Sequence, residues 1–186
     1  WGKRKNKDRH NNDKLTQLLY QNKRYKDTPP LRSQALNYIC DLMYNKLQEE
    51  TLLDNIEIIV SVPNYPDSNR PEPRCATSLA DGLVEIIRLR YRKNCNYYND
   101  VLERIDNTKS SWNRAARREA AEKDYDIAED IKTAENSRIK DQIVLLIDDI
   151  TTSGSTTNVC AGLLLDNGAR EVIILCAAKT YSEKEW

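Results

Sequence analysis

The chain has little of what many catalytic and binding sites require. Its one histidine, His10, sits in a basic tail, and no C-x-x-C pair occurs anywhere. Cysteine nucleophiles usually need a nearby histidine base, so that chemistry is set aside. A structural zinc site has no ligand set. Lys+Arg and Asp+Glu number 29 each, so no global field drives the chain onto nucleic acid or membrane. No apolar run approaches the length of a membrane-spanning helix, and no signal peptide opens the sequence. The first residue is Trp1, not methionine, so the chain reads as trimmed or as starting inside a longer protein. Its five cysteines (Cys40, Cys75, Cys95, Cys160 and Cys176) are odd in number and widely spaced. They read as small buried thiols of a cytoplasmic, reducing compartment.

What is present is enough for one domain. A chain of 186 residues fits a single α/β domain with an appendage. Charge is concentrated at the start, where residues 1–26 carry nine Lys/Arg against two acids. That tail can touch nucleic acid, but a solvated end or a fusion boundary is the preferred reading. Leu15, Leu18 and Leu19 predict a first short helix. Thr28 before Pro29-Pro30 has the form of a helix start. Ala35, Ile39, Leu42, Met43 and Leu47 then share one face of a second helix. Residues 56–62 read as a strand by β-branched content, and residues 63–73, with four prolines, as a loop. Leu79, Leu83, Ile86 and Ile87 mark a helix reaching about Tyr91. Short strands are expected at 101–105 and 125–128, and a last strand at 172–177. Strands alternating with helices imply α/β: a mostly parallel twisted sheet with helices on both faces, and an N-terminal helical extension.

The most informative stretch is residues 144–156. Val144, Leu145, Leu146 and Ile147 run into Asp148 and Asp149, then through Ile150 into a hydroxyl-rich loop around Gly154. The apolar run has the length of a buried parallel strand. Val159, Leu163 and Leu164 recur at helical spacing, so a helix starts near Thr156 or Thr157 and stops at Asn167-Gly168. A strand end, two acids, a loop and a helix N-terminus make a site for a sugar phosphate. The loop and helix N–H groups face the phosphate, and the carboxylates accept hydrogen bonds from ribose hydroxyls.

These thirteen residues resemble the phosphoribosyl-diphosphate (PRPP) signature of type I phosphoribosyltransferases: four apolar residues, two acids, then Thr-Thr-Gly-x-Thr after two more positions. The one departure is Ser153 for threonine, which keeps the hydroxyl. From about Leu52 to Thr180 the chain resembles the ComF branch of that family, named for a competence protein and akin to the amidophosphoribosyltransferases. The strand ending at Pro63, the Leu102-Glu103-Arg104 to Thr108 run and Arg117-Arg118 carry the likeness. After Arg74 the family continues Gly-Phe-Asn-Gln where this chain has Cys75-Ala76-Thr77-Ser78. Ser110-Ser111-Trp112 stand where a glutamine is usual. The zinc ribbon that often precedes the domain is absent.

The resemblance implies residues 55–186 as a phosphoribosyltransferase domain, and residues 1–54 as basic tail and helical extension. It implies transfer of a phosphoribosyl group from PRPP to a nitrogen nucleophile, with Mg²⁺ carried by PRPP and no direct protein ligand for the metal. Thr151, Thr152, Ser153, Gly154, Ser155 and Thr156 would hold the 5-phosphate. Asp148 and Asp149 would hold the ribose and face its oxocarbenium-like transition state. Arg70 and Arg74, in the loop after the first strand, would meet pyrophosphate. Arg117 and Arg118 belong to a segment, 107–119, that either closes over PRPP as a lid or begins a solvated helix, as its alanines favour. The alternative function is a module that binds PRPP or another ribose 5-phosphate-containing ligand without catalysis, as a sensor or assembly part alongside protein partners in a DNA-uptake or defence system. The departures after Arg74 and near Ser111 lean toward it.

Overall fold

The structure is a computed structural model, and it describes residues 29–63, 75–106, 114–133 and 137–179. The helix expected around Leu15, most of the 63–73 loop and the start of the 107–119 segment lie outside those residues. The expected architecture is present: a parallel sheet with helices on both faces, preceded by a helix.

Helix α1 (Pro29–Glu49) opens with its two prolines in the first turn, where a missing N–H costs nothing and φ is already helical. Ala35, Ile39, Met43 and Leu47 are buried along it at intervals of four. Leu42 is 40% exposed instead of joining that face. At 100° per residue it stands roughly 80° from the mean direction of those four, at the edge of the buried stripe. Helix α2 (Cys75–Ile86) continues as a π-helical turn, Ile87–Tyr91, closed by Arg92 at φ 60. The two helices approach closely at Gly82, where an added Cβ would lie 2.8 Å from the Cys40 sulfur.

The strands are β1 (Ile58–Ser61), β2 (Asn96–Tyr98), β3 (Leu102–Arg104), β4 (Tyr125–Ile127), β5 (Ile143–Thr151) and β6 (Glu171–Lys179). The remaining helices are α3 (Arg114–Asp124), α4 (Glu129–Thr133) and α5 (Ser155–Asp166). Strands β2-β1-β5-β6 form one sheet in that order, every pair parallel, with Ile59 beside both Tyr97 and Leu145 and Ile147 beside Leu175. Strands β3 and β4 form a separate antiparallel pair. β1 is shorter than residues 56–62, and β6 is longer than residues 172–177 because β5 pairs with it as far as Lys179. β2 and α4 were not expected from the sequence.

Period-two alternation divides the sheet's apolar residues between two cores. Ile59, Leu145 and Ile147 pack with α1 and α2 through Ile39, Met43 and Leu83. Val60, Val144 and Leu146 pack with Cys160 and Leu164 of α5 and with Leu102 and Ile127 of the β3–β4 pair. β5 is covered on both faces, which is why residues 143–147 are an unbroken apolar run. The connection through α2 leads from β1 to β2, and that through α5 leads from β5 to β6 on the other side. Strand order therefore reverses between β1 and β5, and the crevice beyond their C-terminal ends is where such sheets place ligands.

Candidate functional site

The C-terminal end of β5 lies at that reversal. Asp148 is half-buried, and its Oδ1 accepts a hydrogen bond from the Asp149 N–H at 2.8 Å. Asp149 does the same for the Ile150 N–H at 2.6 Å. Each carboxylate is thus oriented by the next peptide. The chain leaving β1 runs alongside, since the Val62 N–H donates to the Ile147 carbonyl at 2.9 Å. The segment expected to meet pyrophosphate therefore starts next to Asp148. Ser61, 3% exposed, closes that corner through a 3.0 Å contact between its Oγ and the Tyr97 hydroxyl. Arg70 and Arg74 themselves lie outside the described residues.

Residues 152–154 turn the chain from β5 into α5. Gly154 caps the helix at φ 74, a left-handed conformation that side-chain-bearing residues rarely adopt. A Cβ there would make ordinary contacts, 3.5 Å to Asn158 Nδ2 and 3.8 Å to Thr157 Oγ1. The glycine is needed for backbone shape more than for space. The Gly154 carbonyl accepts the Asn158 N–H at 2.9 Å and the Thr157 hydroxyl at 3.1 Å, fixing the first turn of α5. Ser153 and Ser155 hydroxyls lie 2.8 Å apart. The first-turn N–H groups of a helix have no carbonyl one turn earlier, so they present donors and partial positive charge beyond the helix end.

This loop lines a half-open cavity of about 210 Å³. Thr151, Thr152, Ser153, Gly154, Ser155 and Thr156 all line it, with Asp148. Asp149 is not on its wall. The lining also includes Arg104 from β3, which the sequence marked only within the Leu102-Glu103-Arg104 run and gave no site role, with Asp124 and Tyr125 at the α3–β4 junction. Arg104 Nη2 donates to Asp124 Oδ2 at 3.1 Å, and its Nε donates to the Asp106 carbonyl at 3.2 Å. Its guanidinium also lies 5.3 Å from the centre of the Tyr125 ring. Burial pushes the Tyr125 hydroxyl up to about 12, with Arg104 pulling the other way. Burial, then the nearby Asp148 charge, pushes the Cys160 thiol beneath the loop to about 12 as well. Both groups are neutral at ordinary pH.

Arg118 does not reach this cavity. It is exposed on α3, bonded to Glu122 at 2.9 Å, and lines a neighbouring groove between α3 and α5 that also touches Ser153 and Ser155. Arg117 lies on the same helix, its side chain outside the described residues. Residues 114–124 are helix, so of the two readings of the 107–119 segment the helical one describes its second half. No disulfide joins the five cysteines; Cys40 and Cys160 are buried as expected, whereas Cys75, Cys95 and Cys176 are only half-buried. Among the described residues no three His, Cys, Asp or Glu side chains gather as a metal site, and no helix is long and apolar enough to cross a membrane.

No family model matches the chain, and no curated protein matches it. Solved structures do. The chain is similar to the allosteric regulatory enzyme of purine biosynthesis, at 16% identity and a TM-score of 0.47, over 77% of this chain and 26% of that one. It is similar to glutamine PRPP amidotransferase from B. subtilis, at 16% identity and 0.46, over 76% and 26%. It is also similar to a hypoxanthine phosphoribosyltransferase from Staphylococcus aureus, at 13% identity and 0.47, over 80% and 74%. The chain spans about a quarter of the length of the first two.

Proposed function

We propose that the chain binds PRPP in the cavity at the end of β5 and transfers its phosphoribosyl group to a nitrogen nucleophile, as a ComF-like type I phosphoribosyltransferase with residues 55–186 as the working domain. The observation that carries this reading is the loop of residues 151–156, wrapped around one cavity with Asp148 at the point where strand order reverses. The loop hydroxyls and the α5 N-terminus suit a dianionic 5-phosphate. Asp148 suits a ribose hydroxyl and the positive ring carbon. In the transfer the C1–oxygen bond to pyrophosphate breaks, a C1–nitrogen bond forms, and the nitrogen sheds a proton. Mg²⁺ would be carried by PRPP with no direct protein ligand, and would offset the charge of the departing pyrophosphate. Arg70 and Arg74 are assigned to that same charge, and Arg117 and Arg118 join them only if the 107–119 segment closes over PRPP and draws Arg118 away from Glu122.

The binding-only reading keeps one supporting observation. Among the described residues lining the cavity, the one cationic side chain is Arg104, and Asp124 already holds it. Two measurements separate the readings. Calorimetry with Mg²⁺-PRPP and with ribose 5-phosphate tests the site. Pyrophosphate release across a panel of bases and amines tests the transfer. Binding of both ligands with no release above background would move the assignment to a sensor or assembly module. No binding of either would remove the PRPP reading altogether.

A further inference from the structure

β6 is nine residues long, apolar from Val172 to Ala178, with Glu171 at one end and Lys179 at the other. Among the described residues it pairs with β5 alone. Edge strands are usually blunted by a proline, a bulge or a charge in mid-strand. β6 has no proline and no mid-strand charge, and Ile174 near its centre is 39% exposed. The surface beside it is apolar too. α1 packs on α2 through its Cys40 side and reaches β6. Tyr38 and Leu42, two residues either side of Cys40, turn roughly 160° away from it at 100° per residue. They are 44% and 40% exposed.

We propose that β6 is the contact between two copies of this chain, paired antiparallel about a two-fold axis at Leu175 so that the two four-stranded sheets become one. The charge pattern selects this occupant. In that register Glu171 faces Lys179 of the second copy, Lys179 faces Glu171, and Ile174 faces Cys176. Each end of the joint strand pair gains an opposite-charge neighbour, and symmetry repeats the gain. Parallel pairing in register would set Glu171 against Glu171 and Lys179 against Lys179. The inference stands apart from the ligand reading, because no residue of β6 lines the loop cavity.

Analytical ultracentrifugation of the 186-residue chain over a range of concentrations tests it. The expected result is a monomer–dimer equilibrium. Glu171→Lys and Lys179→Glu should each raise the dimer dissociation constant about tenfold or more, because each turns two attractive pairs into two repulsive ones. The double exchange should return it to within about threefold of the parent, the opposite charges having traded places. Ile174→Lys, at an exposed mid-strand position, should give monomer with unchanged circular dichroism. A monomer at every concentration would overturn the proposal and point instead to a strand from elsewhere in a longer protein or from another protein. A dimer insensitive to both single exchanges, or one the double exchange does not restore, would overturn it equally.

Discussion

Arg104 and Asp124 meet at 3.1 Å in the lining of the cavity shared with the loop of residues 151–156, the arginine side chain 20% exposed and the aspartate 4%. Two charges drawn this far from water are held by each other and by the peptides around them. The Asp124 carbonyl also accepts the Ile105 N–H at 2.8 Å, so the pair ties β3 to the end of α3 through backbone and side chain together. That tie fixes this part of the cavity lining.

Removing one partner should therefore cost more than a surface pair would. Arg104→Ala takes the guanidinium away from a buried carboxylate and should lower stability by about 3 kcal/mol in urea denaturation. Asp124→Asn should cost less, because Arg104 retains the Asp106 carbonyl and some access to water. Equal, small losses from both would mean that the pair is solvent-screened in solution.

The two acids at the end of β5 should separate under mutation. Asp148 is on the cavity wall and Asp149 is not. Asp148→Asn should weaken Mg²⁺-PRPP binding at least about tenfold by calorimetry, the scale of one charged hydrogen bond. Asp149→Asn should weaken it less. The reverse ranking would place the ribose on the other side of β5.

How much of this was legible in the sequence depended on distance along the chain. β5, its loop and α5 are one continuous local pattern, and all three appear in the expected order, though β5 runs past the acids to Thr151 and α5 starts already at Ser155. β2 was not legible: Asn96, Tyr97 and Tyr98 have no strand-like pattern of their own and extend because β1 offers a parallel edge at Ile58, Ile59 and Val60. The Arg104–Asp124 wall was invisible for a similar reason. Its partners lie 20 residues apart, and only the β3–β4 pairing of Arg104 with Tyr125 brings them together. Leu42 misled because a leucine at the margin of a helical stripe has the same periodicity whether it is covered or not.

Gly154 should be sensitive through its backbone. At φ 74 any side chain is strained, and Gly154→Val more than Gly154→Ala because of the branch at Cβ. The expected loss is about 1–3 kcal/mol of stability, together with thermal protection by ribose 5-phosphate. If Gly154→Val keeps full protection, the loop is not the phosphate cradle.

Stability should fall in alkali, and the sign follows from the buried acids. Burial raises the thiols of Cys40, Cys160 and Cys176 from 9.0 to about 12, and the Tyr125 hydroxyl from 10.0 to about 12. Below about pH 8 both the folded and unfolded chains keep these protons, and the groups contribute no pH dependence. Between the unfolded values and about 12, the unfolded chain has released protons that the folded chain still holds. Stability then declines with rising pH, since it falls wherever the folded state binds more protons. Urea midpoints should hardly respond to these four groups from about pH 6 to 8 and should drop steadily from about pH 9 upward. Cys40→Ala with Cys160→Ala should flatten that drop, because two of the four groups are gone. A midpoint that holds level from about pH 8 to 11 would mean that these side chains are reached by water in the folded protein.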